Sequence, residues 1–467
     1  MSAPATSSRL PDDLLRRFDA PGPRYTSYPT ADRFVEAFGP DDLLRALAQR
    51  AQVARFGGTA PLSVYVHIPF CESVCYYCAC NKVITKHHER ATAYLDALDT
   101  EIGLVSNALG APQPVSQLHF GGGSPTFLSD AELERLMKRL RSAFRIGSGA
   151  ELSIEVDPRT VTAERLAHLR GLGFNRLSFG VQDFDAQVQQ AVHRVQSFDS
   201  VRVLMEAARA LGFASINADL IYGLPRQTPA SFARTVAQIG ALRPDRLALY
   251  AYAHLPQRFK PQRRIVAAEL PAAAQRVEML GMAIDGFLQQ GYDYIGMDHF
   301  ALPGDALALA KRQGCLHRNF QGYSTQPDCD LVGLGVSAIG HVGASYAQNA
   351  KTLPEYEDAL RQGQLPVVRG MALGRDDLVR RAVIMALMCQ GRVDFEAIEQ
   401  AHLIRMHDYF GAELAQLAPL AEAGLVTLEP DAIQVTATGW YVVRAVAMVF
   451  DRYLRHDALR ERFSRIV

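Results

Sequence analysis

Four of the seven cysteines fall within a single short stretch, His67-Ile-Pro-Phe-Cys71-Glu-Ser-Val-Cys75-Tyr-Tyr-Cys78-Ala-Cys80. Three thiolates at x3 and x2 spacing on one tight loop, Cys71, Cys75 and Cys78, can each grip one corner of a cubane 4Fe–4S cluster. Such clusters are normally held by four cysteines, so three leave one iron open to a substrate or cofactor. A Cys-only zinc site is the competing chemistry. Structural zinc usually pairs two separated knuckles, and no second Cys-x-x-Cys follows downstream. The spacing favours iron–sulphur and leaves zinc as the alternative. Cys315, Cys329 and Cys389 are scattered and read as small buried apolar residues. An odd, uneven set of cysteines suits reduced thiols rather than a disulfide framework.

Other groups follow strand-like runs. Gly121-Gly-Gly-Ser-Pro-Thr126 is a turn that permits close backbone approach; it has neither the dinucleotide fingerprint nor the Gly-Lys-Ser/Thr ending of a P-loop. Glu155 sits at the end of Leu152–Val156, and Gln182 and Asp183 follow Arg176–Val181. Asp219 interrupts an apolar run, where a charge is costly unless partnered. Polar groups at the ends of several strands, converging on one rim, form the pattern of a site. Arg194, in Val192-His-Arg-Val-Gln196, reads equally well as a solvated helix residue. His299 and His317 read as hydrogen-bonded structural histidines, and His87 and His88 as surface groups.

The elements that must position these groups alternate. Candidate strands are Ser63–His67, Gln117–Phe120, Leu152–Val156, Arg176–Val181, Ile216–Ile221 and Arg246–Tyr252. Between them, Leu95, Leu98, Ile102 and Val105 share a helical face. Ser129 and Glu132 form a capping box ahead of Leu133, Leu136, Leu140 and Phe144. A further helix spans Ala163–Arg170, and Leu211-Gly212 ends the next. This alternation predicts an α/β fold with a parallel sheet; periodicity alone leaves a doubly wound sheet and a barrel both open. Asp19 to Thr30 is an extended, proline-rich leader. After about Gly370 the pattern turns helical: Asp376–Cys389, Phe395–Ala401, Leu414–Ala423 and a final helix Gly439–Leu454. A short β-wing over residues 424–436 makes this part resemble a winged helix, with packing rather than DNA binding as its expected role.

The chain has 467 residues, 48% of them hydrophobic and 21% charged, with 49 basic against 49 acidic residues. That balance gives no bulk electrostatic reason to expect nucleic acid or an acidic membrane as partner. Met1 to Leu10 lacks the apolar core of a secretory signal, and no run of about eighteen apolar residues is present. A cytoplasmic protein is expected.

Cys-x3-Cys-x-aromatic-Cys, with Tyr77 as the aromatic, resembles the signature of the radical S-adenosylmethionine superfamily. There the open iron is chelated by S-adenosylmethionine, and one electron from the cluster splits it to a 5′-deoxyadenosyl radical. The chain from Asp19 to near Leu454 is similar to the family of oxygen-independent coproporphyrinogen III oxidases, or dehydrogenases. That similarity rests on Pro21-Gly-Pro-Arg-Tyr-Thr-Ser-Tyr-Pro-Thr30, Tyr65-Val-His-Ile-Pro-Phe-Cys71, Cys80, Gly180-Val-Gln-Asp-Phe184 and Arg318-Asn-Phe-Gln-Gly-Tyr323. The resemblance implies a partial (β/α)6-type TIM-like barrel over residues 56–370. A leader and helix over 1–55 would cover the active site, and a mainly helical domain would span 371–467.

It further implies cluster ligation by Cys71, Cys75 and Cys78. S-adenosylmethionine contacts would fall on Tyr65, Tyr77, Gly122, Gly123, Ser124, Glu155, Gln182, Arg194, Asp219, Ala253 and Ile339, with two cofactor molecules bound. The family commonly has Thr where Ser124 stands, which keeps the hydroxyl. The implied reaction, part of haem and porphyrin biosynthesis, is oxidative decarboxylation of two propionates of coproporphyrinogen III to vinyl groups, forming protoporphyrinogen IX. Arg24 and Arg318 are the candidate propionate partners, with Tyr25 and Tyr28 lining the pocket. An unnamed one-electron donor and an electron acceptor are required; a monomer is expected, with no nucleic acid or membrane partner. A haem-binding chaperone of the same superfamily is the alternative, but such relatives lack the cysteine equivalent to Cys80 and the leader Arg24-Tyr-Thr-Ser-Tyr28.

Overall fold

The computed structural model describes residues 17–18, 21–57, 60–326 and 329–456. Met1–Leu10 and the Asp19 that opens the leader motif lie outside the described residues. Six strands form the parallel centre of the main sheet: β1 (Leu62–Ile68), β2 (Pro114–Gly122), β3 (Arg145–Val156), β4 (Arg176–Gln182), β5 (Ser215–Tyr222) and β6 (Arg246–Ala251). They lie side by side in chain order, each parallel to the next. That is the order of a barrel, without the reversal that marks a doubly wound sheet. All six expected strands are present, β3 starting well before Leu152.

Both edges carry strands that sequence periodicity did not expose. β7 (Asp293–Gly296) and β8 (His299–Ala301) continue the sheet antiparallel beyond β6. β9 (Leu331–Leu334) pairs parallel to β1, and β10 (Ile339–Val342), β11 (Ser345–Asn349) and β12 (Val367–Ala372) continue antiparallel from it. The sheet stays open, ending on β12 and β7. Strands this short barely complete two repeats of a two-residue period, so their sequences carry little signal. The border expected at 370 runs through β12, where Gly370 also bridges to Val35 of the N-terminal segment.

Strand alternation sorts the side chains. In β3, β4 and β5, Leu152, Ile154, Leu177, Phe179, Ala218 and Leu220 are buried in the core. Glu151, Ser153, Glu155, Ser178, Gly180, Asn217 and Asp219 face the lumen, where they line its cavities. Successive residues point to opposite faces of a strand, so one pattern builds both the apolar jacket and a polar interior. In α1 (Glu89–Leu109), a helix outside the sheet, the expected face Leu95, Leu98, Ile102 and Val105 is buried. Helix α2 (Asp130–Ala143) opens with the expected capping box. Ser129 N donates to Glu132 (2.8 Å) and Glu132 N to Ser129 Oγ (3.3 Å), a cap worth about 1 kcal/mol.

The C-terminal part has its own core around helix α3 (Arg375–Gln390) and a three-stranded antiparallel sheet of Arg392–Asp394, Ala432–Val435 and Val426–Leu428. Two expected helices are broken. Leu414–Ala423 divides at Leu417, because Pro419 fits only the first turn of a helix. Gly439–Leu454 becomes Ala437–Trp440, Val443–Met448 and a 3-10 turn, Arg452–His456. Three anchors override its helical tendency: Trp440 Nε1 donates to the Ile295 carbonyl (3.0 Å), Tyr441 stacks on Tyr294 (4.7 Å), and Arg444 Nε donates to the Pro23 carbonyl (3.0 Å). Cys329 and Cys389 are buried as expected, but Cys315 is exposed on the loop after a short helix. None of the seven cysteines takes part in a disulfide. No helix among the described residues is long and apolar enough to cross a membrane.

Candidate active site

A cleft of about 580 Å³ opens at the C-terminal ends of the parallel strands. Directly after β1 the chain makes a short parallel pairing, Phe70–Cys71 with Val83–Ile84, which pins both ends of the cysteine loop. The glycine turn after β2 clamps onto this loop. Gly123 N donates to the Ile68 carbonyl (2.8 Å) and Ser124 N to that of Phe70 (2.8 Å). A Cβ on Gly123 would lie 2.6 Å from the Pro69 oxygen, so no larger residue fits. The glycines therefore serve the chain's own close approach as well as leaving a backbone edge open to the cleft.

Cys71, Cys75 and Cys78 all line the cleft. Cys71 Sγ faces Ser124 Oγ at 3.8 Å, and burial pushes its thiol up to about 12. Cys75 receives two guanidinium donors, Arg194 Nη1 (3.5 Å) and Arg159 Nη2 (3.6 Å). Asp157 bridges that pair, bonding Arg159 at 2.6 Å and Arg194 at 3.2 Å. Arg194 is 7% exposed and also holds the Gly180 carbonyl (2.6 Å), which places it inside the site rather than on a solvated helix.

Among the described residues, no three His, Cys, Asp or Glu side chains converge tightly enough for a single metal ion. The three thiols line the same cleft, and a polynuclear cluster needs one thiolate for each iron it anchors. The cleft beside them has room and polar walls for a cofactor such as S-adenosylmethionine. By that test the donor set fits both groups.

The facing walls come from β2 to β6. Glu155 accepts from Gly122 N (3.1 Å). Asp219 accepts from Ser178 (3.0 Å) and Asn217 (2.8 Å), and burial, with the nearby Glu155 carboxylate, pushes its carboxyl up to about 6. Gln182 ends β4 at a φ of 69°, a left-handed conformation unusual for a residue with a side chain. Asp183, by contrast, turns away and is buried against Thr235 (2.8 Å). Tyr77, Gly122, Gly123, Ser124, Glu155, Gln182, Arg194 and Asp219 thus line one cleft with the cysteines. Tyr65, Ala253 and Ile339 lie outside its lining. Tyr65 bonds His67 (3.0 Å), the Ala253 carbonyl accepts from Gln262 (3.1 Å), and Ile339 begins β10.

Arg24 forms an ion pair with Asp298 and lies over the ring of Tyr250 at 5.4 Å; Tyr250 itself lines the cleft. Arg318 Nε donates to the Arg24 carbonyl (3.2 Å), its plane lies over Tyr323 at 4.7 Å, and its Nη1 has no partner. Tyr25 and Tyr28 do not line the cleft. Both are 0% exposed in the C-terminal core, where Tyr25 donates to Asp451 (3.0 Å) and Tyr28 accepts from Arg452 N (3.3 Å). The leader carries their rings away from the barrel because the C-terminal core offers them burial and partners. His299 lines a second, polar cavity of about 160 Å³ deeper in the lumen, and burial draws it down to about 3. His87 and His88 are exposed as expected.

Sequence reasoning missed Asp157, Arg159, Ser178, Tyr250, Lys82 and Lys86, all of which line the cleft. Ser178 was accessible through the two-residue period that links it to Gln182, and Asp157 and Arg159 through their place just after β3. Nothing local marks Tyr250.

Residues 65–239 match the radical SAM superfamily and residues 373–442 match the HemN C-terminal domain. The oxygen-independent coproporphyrinogen III oxidase of Pseudomonas aeruginosa is 51% identical over 97% of this chain and 98% of its own. The Escherichia coli protein of the same name is 50% identical, with 97% and 98% covered. A solved structure described as coproporphyrinogen III oxidase (HemN) from Escherichia coli, a radical SAM enzyme, superposes with a TM-score of 0.88, covering 92% of this chain and 97% of that one. With its cysteine loop, barrel order and C-terminal core matched together, the chain belongs to the oxygen-independent coproporphyrinogen III oxidase family of radical S-adenosylmethionine enzymes.

Proposed function

We propose that this enzyme converts two propionate side chains of coproporphyrinogen III to vinyl groups without oxygen, forming protoporphyrinogen IX. The observation that carries the reading is one cleft that joins three free thiols on a single loop to carboxylates at the ends of β3 and β5. The guanidiniums of half-buried Arg24 and buried Arg318 lie beside its Tyr250 wall. When bound, the 4Fe–4S cluster and S-adenosylmethionine would supply hydrogen-abstracting radical chemistry at the propionate β-carbon; the overall conversion of each propionate to a vinyl group gives up one hydrogen, carbon dioxide and one electron. The chain's own part is positional. Cys71, Cys75 and Cys78 hold the cluster, and Gly122, Gly123, Ser124, Glu155, Gln182, Arg194 and Asp219 orient the cofactor. Tyr65, Tyr77, Ala253 and Ile339 complete that set.

Arg318 is the best-supported propionate partner. It is 5% exposed, and its free Nη1 is a donor that burial penalises until an anion accepts from it. Arg24 shares the role beside it, its charge partly met by Asp298. A second S-adenosylmethionine belongs to the same reading, supported by a cleft with polar groups on both walls. The division into leader, barrel and C-terminal part near residues 55 and 370 is kept as a working description, with the leader closing the site; a monomer in the cytoplasm completes it. Loss of Cys80 and the leader would have favoured a haem carrier; both are present.

The test is an anaerobic assay with reconstituted enzyme, S-adenosylmethionine, a one-electron reductant and coproporphyrinogen III, read by product mass. Product lacking two carboxyl groups supports the reading, and Arg318→Ala should then raise the substrate KM about tenfold or more with cluster content unchanged. Cofactor cleavage without decarboxylation would overturn the substrate assignment. Binding of one S-adenosylmethionine per cluster would remove the second molecule.

A further inference from the structure

Between Asp245 and Glu269 the chain holds no carboxylate, while Arg258, Lys260, Arg263 and Arg264 crowd its middle in a protein neutral overall. All four are exposed. The segment is held firmly. Gln262, 1% exposed, donates to the carbonyls of Tyr77 (3.0 Å) and Ala253 (3.1 Å) and accepts from Leu255 N (2.6 Å). Ile265 enters a small apolar cluster with Val188, Val192, Leu224 and Tyr252, against which Tyr76 and Tyr77 pack. Arg264 lies over the Tyr76 ring at 5.3 Å, and that ring stacks on His193 at 5.1 Å. Tyr76 and Tyr77 are the residues between Cys75 and Cys78, so the basic segment sits directly against the loop that carries two of the thiols.

None of the four cations lines the cleft; they are presented to solvent beside it. Their charge is not neutralised locally: Glu269, the next carboxylate along the chain, is already paired with Arg226 at 2.7 Å. Lys351 extends the positive field. Its carbonyl accepts from Asn81 (2.9 Å), just past Cys80, and its ammonium is drawn down by burial and by the guanidiniums of Arg369 and Arg258. Arg369 has Asp32 and Glu36 close by and contributes less. Two apolar side chains stand out along the same segments, Val195 just after His193 (63% exposed) and Val266 just after Arg264 (56%).

We propose that this ridge, Arg258 to Arg264, is the docking surface for an acidic one-electron carrier protein that reduces the cluster. The proposal rests on the iron–sulphur reading above. A few apolar residues rimmed by unpaired charge of one sign suit a small, transient redox encounter, in which complementary charge raises the rate of association 10- to 1,000-fold and salt weakens it. The anionic substrate belongs to the cleft, which these side chains do not line.

The experiment uses full-length reconstituted enzyme and follows 5′-deoxyadenosine release from S-adenosylmethionine, driven either by a reduced acidic flavodoxin or by dithionite. In Arg258→Glu/Lys260→Glu/Arg263→Glu the flavodoxin concentration for half-maximal rate should rise about tenfold or more, and added salt should no longer slow the reaction. The dithionite-driven rate should stay within about twofold of the parent. The corresponding triple Gln variant should give a smaller rise in the same direction, and serves if charge reversal impairs folding. An unchanged flavodoxin dependence overturns the proposal. So does a parallel loss with dithionite, or a rise confined to the KM for coproporphyrinogen III. Because the readout is cofactor cleavage, failure of the parent enzyme to decarboxylate would strike the substrate assignment and leave this test intact.

Discussion

In the C-terminal core Arg380 is bonded to Asp376 (3.0 Å), Glu413 (2.8 Å) and the Phe450 carbonyl (3.0 Å), and Tyr25 is bonded to Asp451 (3.0 Å). Around the cleft, Arg318 is equally buried but keeps an unpartnered nitrogen, and the thiols of Cys71, Cys75 and Cys78 are held in no disulfide. Both regions bury charge, and only one of them keeps bonding capacity in reserve. Burial of a polar group therefore marks a site poorly; buried polar groups in proteins are nearly always satisfied, and it is the exception that asks for a ligand. Tyr25 and Tyr28 show the error the rule prevents. Their sequence neighbourhood suggests a pocket, yet their bonds are spent on structure.

The contrast can be broken at four points. Replacing a cleft thiol should act on chemistry alone: Cys71→Ala is expected to abolish turnover, by a factor of about 1,000 or more. Visible absorbance of the cluster should be lost while the far-UV spectrum is kept. A core charge should act on stability alone. Arg380→Ala leaves Glu413, 3% exposed, without this partner and should cost about 3–5 kcal/mol in urea unfolding, with cluster content unaffected in the folded fraction.

Glu101, on the buried face of α1, tests the same idea where that helix packs on the sheet. Burial pushes its carboxyl up to about 7, although it accepts from Tyr356 (2.6 Å), Asn349 (2.6 Å) and Gly335 N (2.7 Å). A raised carboxyl means the folded state holds a proton that the unfolded chain releases near pH 4.5. Stability should therefore fall as pH climbs from about 4.5 through about 7, by up to about 3 kcal/mol. Denaturation of the parent and of Glu101→Gln at pH 5 and pH 8 measures this: the parent should lose more between the two pH values, and equal losses would remove Glu101 as the cause. Smallest is Tyr25→Phe, which should cost about 1 kcal/mol through its lost bond to Asp451 and leave the coproporphyrinogen III KM within about twofold. A larger rise in KM would return Tyr25 to the pocket and blur the comparison.

How legible each part was depends on how far apart its partners lie. The cysteine loop could be read directly, because its three thiols stand on one contiguous turn and line one cleft. Asp219 was visible as a charge in an apolar strand, and the six central strands as alternating runs. Arg159 was not visible as a donor to Cys75, since the two are 84 residues apart. Tyr25 was misplaced for the same reason, its partner Asp451 being 426 residues away. The final helix failed because Ile295, Tyr294 and Pro23, all distant in sequence, hold successive residues in a conformation no local pattern encodes.

By itself the sequence determined what is local or periodic: the thiol triad, the glycine turn, the capping box, and the two-residue alternation that turns acids and hydroxyls into the lumen. Those depend on backbone geometry a few residues long. Only the tertiary structure decided which charges were already paired, on which side of the leader the tyrosines fell, and that a basic segment lies against the cluster loop. Each of these depends on contacts between distant residues, whose energies outweigh local preference once the core has formed.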